Sequence, residues 1–283
     1  VEVQVSLGPS QSLLVLVALL ACVLCCANSQ SYGQTDSSLQ RTITTLVANE
    51  HEAAQHRPPF AYLSIEKSDR TAGHLWTERV AEVAQGRLRY LLSEDGKPLS
   101  EDRSRQQIAR LKAIAEDPRP FTGHEQTQKT DEQRAQQMFE LLPSTFLFQS
   151  GGNDGSWLRI NYYPNPSYVP RNYEERILHG MSGTMLVDPR ALRLHYLEGH
   201  LTGDVSFGYG LLATIHSGSR FVIIRNPVAS GVWKTTSVDT RIDGRVIYFK
   251  TLSRHLEAEH KNFKPLPANL SIPQAVDLLI QSH

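Results

Sequence analysis

Cysteine is nearly absent, and its placement narrows the chemistry. The chain has 283 residues and three cysteines, Cys22, Cys25 and Cys26, all inside one apolar run from Leu13 to Ala27. Outside that run there is no thiol, which excludes a disulfide framework, a cysteine nucleophile or a thiolate metal site there. Charge of either sign is not in excess: Lys plus Arg and Asp plus Glu each number 29. Without a basic surplus, no nucleic-acid partner is expected. Long hydrophobic runs are missing as well. Leu13–Ala27 is 15 residues against the roughly 20 of a spanning helix, so no permanent membrane span is expected.

A run of that length, followed by small residues, reads instead as the core of a signal peptide over residues 1–29. One ingredient is lacking: residues 1–12 carry no Lys or Arg. A polar leader, 30–37, and a single domain, 38–283, complete the expected organisation. Leu19-Leu20-Ala21-Cys22 resembles a bacterial lipobox and makes Cys22 a lipidation candidate. Plain cleavage is preferred, because Val23–Ala27 is still apolar where a tether is polar. An exported protein is expected on either reading.

Catalytic motifs are also wanting. His51-Glu52-Ala53-Ala54-Gln55-His56 spaces its histidines five apart, not the four that place both zinc ligands of HExxH on one helical face. Gly208-Tyr209-Gly210-Leu211-Leu212-Ala213 has the letters of a dinucleotide fingerprint, but β-rich sequence and a Ser-Gly turn follow where a helix is required. His195 and His200, like His255 and His260, are five apart and so on opposite faces of a strand. Ser182 lacks the GxSxG elbow. No catalytic residue, metal or cofactor is expected. A hydrolase site assembled from distant residues is the third-ranked alternative.

What is present is β structure. Strands are expected at 60–70, 74–84, 87–93, 144–150, 156–163, 176–188, 191–202, 203–216, 219–228, 231–242 and 245–260. Asp243-Gly244 is the strongest hairpin signal, since both central turn positions favour positive φ. Helices are expected at 38–55, from Ser100 to Asp117, from Thr130 to Leu142 after a loop over 118–129, and from Ser271. The fold class is therefore α+β: a curved antiparallel sheet of about eleven strands, a half-barrel, with an N-terminal helix, a helical insertion at 100–142 and a short C-terminal helix. Connections this short permit antiparallel neighbours only.

The last strands carry apolar residues on both faces, as where Phe221 and Ile223 oppose Val222 and Ile224. Both faces then need a cover, since exposed apolar surface costs about 25 cal/mol per Å². The helices can cover one. Sheet curvature, the insertion acting as a lid, or a bound apolar ligand must cover the other. Trp76, Trp157, Phe207, Tyr209 and Trp233 are the candidate lining residues for such a ligand. The Pro/Tyr-rich stretch 164–173 cannot be regular strand, and with Tyr163, Tyr168 and Tyr173 it is a candidate interaction loop.

This order of elements, with Gly183-Thr-Met-Leu-Val-Asp-Pro-Arg-Ala-Leu-Arg-Leu-His-Tyr-Leu-Glu-Gly199, resembles the half-barrel of the LolA/LppX-like lipoprotein-carrier superfamily. Gly183 to Gly210 and Gly244 to Pro267 are similar to uncharacterised exported proteins of Gram-negative bacteria. The resemblance implies a periplasmic or outer-membrane-associated protein that binds a lipid or acyl chain in a concave apolar sheet, without catalysis. No ligand residue of those carriers matches a position here, and the long insertion departs from their compact form. An envelope interaction or scaffold protein, with a protein partner, is the alternative.

Overall fold

The computed structural model describes residues 37–207, 213–246 and 250–281. The expected signal peptide, Cys22, Tyr209 and the side chain of Phe207 lie outside the described residues. Among the described residues thirteen strands form one sheet, antiparallel at every pairing. In chain order the elements are α1 (Ser37–Gln55), β1 (Phe60–Ser68), β2 (Leu75–Val83), β3 (Gly86–Glu94), β4 (Lys97–Pro98), α2 (Glu101–Glu116), α3 (Arg119–Glu140) and α4 (Leu142–Thr145). Then come β5 (Phe146–Asp154), β6 (Trp157–Pro164), α5 (Tyr173–His179), β7 (Met181–Asp188), β8 (Arg193–Leu201), β9 (Val205–Phe207) and β10 (Ala213–Ile215). The chain closes with β11 (Arg220–Ala229), β12 (Val232–Val246), β13 (Lys250–Pro265) and α6 (Ile272–Gln281). The strand order is β4-β3-β2-β1-β13-β12-β11-β8-β7-β6-β5, with β9 and β10 beside the end of β12; the sheet does not close.

Most turns sit where their chemistry places them. Asp95-Gly96, Gly155 and Gly231 take positive φ between paired strands, and Gly218 takes it between β10 and β11, each of which pairs with β12. The exception is Asp243-Gly244. Both residues lie inside β12, opposite Ser253 and Leu252 of β13, and Gly244 also pairs with Ile215 of β10. Glycine serves there for close approach: a Cβ at 244 would stand 2.6 Å from the Thr214 carbonyl oxygen. Tertiary pairing on both sides outweighs the local turn preference.

Three further expectations are corrected. The strand expected at 176–188 begins only at Met181, because α5 occupies Tyr173–His179. Asn172 caps that helix by accepting from the Glu175 amide, and Glu174 and Glu175 suit its positive end. The loop expected over 118–129 is the first half of α3, which starts on Pro118-Arg119-Pro120 because a first-turn proline needs no amide partner. The strand expected at 203–216 is two short strands, β9 and β10.

Helices cover both faces of the sheet. On one face, Ile43, Leu46 and Val47 of α1 pack with Phe146, Tyr162, Met185, Leu197 and Phe221, and Met138 and Phe139 of α3 join them. Alternation along the strands places Ala81, Val83 and Leu88 on the other face, under Leu111 of α2 and Val276 and Leu279 of α6. The helices are therefore not confined to one side, and the cover required of each face comes partly from protein. Among the described residues no helix is long and apolar enough to cross a membrane.

Candidate functional site: a cationic cleft at the end of the first helix

The apolar stripe of α1 does not stop at Val47. One turn on, at the same 3/4 spacing, comes Glu50, and it is as buried as the leucines before it, 5% exposed. An acid in that position needs partners, because an unpaired buried charge costs several kcal/mol or more. They come from the sheet. Arg193 of β8 donates to Glu50 through Nε (2.9 Å) and Nη2 (3.2 Å), and the Leu194 amide donates at 3.0 Å. Arg225 of β11 adds a third cationic contact. Burial pushes the Glu50 carboxyl up. The bonds and charge from Arg193 and Arg225, with the Leu194 amide, outweigh it and hold the group below its ordinary value.

Above this pair lies a cavity of about 480 Å³, within the range of small-ligand sites. Its walls are the end of α1, the β7–β8 turn and the β11–β12 hairpin. Four cationic side chains line it, Arg57, Arg193, Arg225 and Lys234, against two acids, Glu50 and Glu52. Lys234 Nζ stands 2.6 Å from Oε2 of Glu82. Arg57 has no hydrogen bond or salt bridge among the described residues. Desolvation and the nearby cations of Arg225 and Arg87 lower its pKa, against the opposing pull of the Glu82 and Glu50 carboxylates. The residue itself is exposed, so its guanidinium is accessible to an anion.

Local irregularities shape this corner. The β7–β8 register shifts between Leu186 and Val187, leaving His195 as the extra residue of a bulge. His195 donates from Nδ1 to the Arg225 carbonyl (2.8 Å), and Trp157 stacks on its ring at 4.0 Å with the planes 12° apart. Trp233 meets Trp157 edge-on at 6.2 Å and lines the cleft. The β11–β12 register shifts at Ile224/Arg225 and again at Pro227/Ala229, so both strands are irregular where they carry Arg225 and Trp233.

The candidate lining residues thus divide. Trp233 lines the cleft, and Trp157 packs against Trp233 from outside the lining. Trp76 does neither: it lies on β2, donates to Glu94 (3.0 Å) and has the Arg70 guanidinium 5.4 Å above its ring. The 164–173 stretch is pinned rather than loose. Buried Glu175 accepts from Tyr168 Oη (2.7 Å) and from the Arg171 amide (2.9 Å), while Tyr173 stays 56% exposed and Tyr163 is half-buried on β6. Val169, 78% exposed, stands on the same stretch.

A second, smaller cavity lies between α3 and the sheet, about 50 Å³, lined by Met138, Phe139, Phe146, Tyr162, Met181 and Phe221 among others. That is roughly a third of the ~150 Å³ cavity that admits benzene in an engineered protein. On the opposite face, Asp239, His255 and Glu257 bring ligand-type atoms within 4.8 Å of one another, with Arg220 3.6 Å from Asp239. The histidines of the 51–56 segment have separate partners, and His51 also meets the Gln55 side chain at 2.6 Å. His51 pairs with Glu140 at 2.5 Å, and His56 bonds the Glu52 carbonyl at 3.1 Å.

Glu50, Arg57, Arg193, Arg225 and Lys234 were not among the residues singled out from sequence. The legible signal was Glu50, an acid continuing an apolar stripe. Comparison with known proteins finds no matching family model, no matching curated protein and no matching solved structure.

Proposed function

We propose that the chain is an exported, non-catalytic binding protein whose ligand is a small organic anion held in the cationic cleft. The observation that carries the reading is Arg57, a cation with no hydrogen bond or salt bridge among the described residues, on the wall of a cavity of about 480 Å³. Arg193 and Arg225 share one carboxylate, Glu50, so the positive potential there is only partly cancelled. Trp233 and Val232 supply apolar wall beside the cations, which suits an anion carrying a hydrocarbon part. The apolar run Leu13–Ala27 supports export to a periplasm.

The test is native mass spectrometry with extraction on the full chain made in an exporting bacterium. A co-purifying organic acid, released when Arg57 is changed to alanine, supports the reading. An empty protein that takes up no carboxylate or phosphate refutes it. A second reading keeps the lipid or acyl-chain ligand, and the apolar cavity under α3 favours it. At about 50 Å³ that cavity holds a chain only if α3 moves off the sheet.

A further inference from the structure

We propose that Lys234 captures the ligand of the cleft covalently and reversibly, as an imine with a carbonyl carbon, so that the ligand class is a small oxo acid. The inference rests on the anion-binding reading and adds an electrophile to it. Lys234 lines the same cavity as Arg57 and Arg225, and its side chain is 13% exposed. The amine and the guanidinium groups therefore border one cavity.

The surroundings of the amine suit a nucleophile. Nζ stands 5.0 Å from the centre of the Phe60 ring and 2.6 Å from Oε2 of Glu82. That carboxylate is fixed in turn by the Phe60 amide at 2.9 Å. Burial pushes the lysine down. Glu82 opposes this, the charges of Arg57 and Arg87 add to it, and the outcome is a lowered pKa. A desolvated lysine beside other cations gives up its proton more readily than a solvated one. Glu82 is the group to which the ammonium proton can pass.

The step balances without an oxidant or reductant. The Lys234 ammonium gives a proton to Glu82, and the nitrogen lone pair attacks the carbonyl carbon. The C=O π pair moves to oxygen, which takes a proton from nitrogen to give a carbinolamine. Protonated Glu82 then returns its proton to the hydroxyl, the C–O bond breaks, water leaves and the C=N bond forms. In sum, an ammonium and a ketone give a protonated imine and one water, and hydrolysis reverses it. The protein remains a binder with slower ligand release, not a catalyst.

The experiment treats the full chain with pyruvate and cyanoborohydride, maps the labelled peptide, and measures lactate binding by calorimetry in parallel. The expected result is one adduct, on Lys234, suppressed by excess lactate and lost in Lys234→Arg, which keeps a cation beside Glu82. Arg57→Ala should lower labelling about tenfold or more, the loss of one charge-assisted hydrogen bond. Label absent from Lys234, or spread over exposed lysines, overturns the proposal. If lactate binds and pyruvate is not trapped, the imine falls while the anion reading stands. If neither binds, both fall. Circular dichroism of each variant separates loss of capture from loss of fold.

Discussion

Glu50 and Arg193 lie 143 residues apart and meet at 2.9 Å, one on the first helix and the other at the start of β8. This ion pair anchors the end of α1 to the sheet and forms the floor of the cleft. Removing one member leaves the other charge buried. Glu50→Gln is therefore expected to cost about 3–5 kcal/mol of stability at neutral pH. Chemical denaturation of the two proteins side by side checks it.

The same carboxyl fixes a pH dependence. Its folded pKa lies below the unfolded value near 4.5, so its contribution is fully present above that value and is lost as pH falls through the lower, folded one. The stability gap between wild type and Glu50→Gln should hold from neutral pH down to about 4.5 and shrink below it. A gap that widens on acidification would show that the sign is wrong.

Two glycines should respond in opposite directions to alanine. A Cβ at Gly199 would stand 2.6 Å from both Phe221 Cε1 and Tyr162 Oη, inside the core. Gly199→Ala should cost about 1–3 kcal/mol through overpacking. Gly123, within α3, has nothing within 4 Å of its Cβ position, and Gly123→Ala should stabilise by up to about 1 kcal/mol. Thermal unfolding of the pair measures both.

The acyl-chain reading makes its own demand. If α3 must leave the sheet to admit a chain, tying it to α1 should block uptake. His51 and Glu140 face each other across these helices at 2.5 Å. With Cys22, Cys25 and Cys26 changed to serine, bridging thiols introduced by His51→Cys and Glu140→Cys with a cleavable reagent should abolish uptake of a fluorescent fatty acid. Cleavage of the bridge should restore it. Equal uptake in both states would remove α3 as a lid.

How far the sequence carried this account depends on how local each signal was. The alternation of Phe60–Ser68 and the positive-φ turns at Asp95-Gly96 and Gly231 are set by neighbours in the chain, and strands and turns formed there. Asp243-Gly244 offers the same local signal, but β10 and β13 flank it, and pairing on both sides keeps the chain extended. Arg176-Ile177-Leu178 reads as strand until the Asn172 cap is weighed, one turn earlier, with the acids that follow it. The cleft was the least legible part. Its charges come from α1, the segment between α1 and β1, β8, β11 and β12, and Arg225 is 175 residues from the Glu50 it pairs with. Only the sheet order brings those segments together. Trp157 and Trp233 were singled out as strand aromatics and do meet, but a bulged histidine between their strands, His195, sets the geometry.

The most direct test of the central claim is an equilibrium titration of short carboxylates and inorganic phosphate into the full-length protein and its Arg57→Ala variant at low salt. Binding of at least one anion to wild type is predicted, weakened about 10- to 100-fold by the substitution, as expected for one charge-assisted hydrogen bond. Undiminished binding in the variant, or no binding by the wild type, would contradict the account.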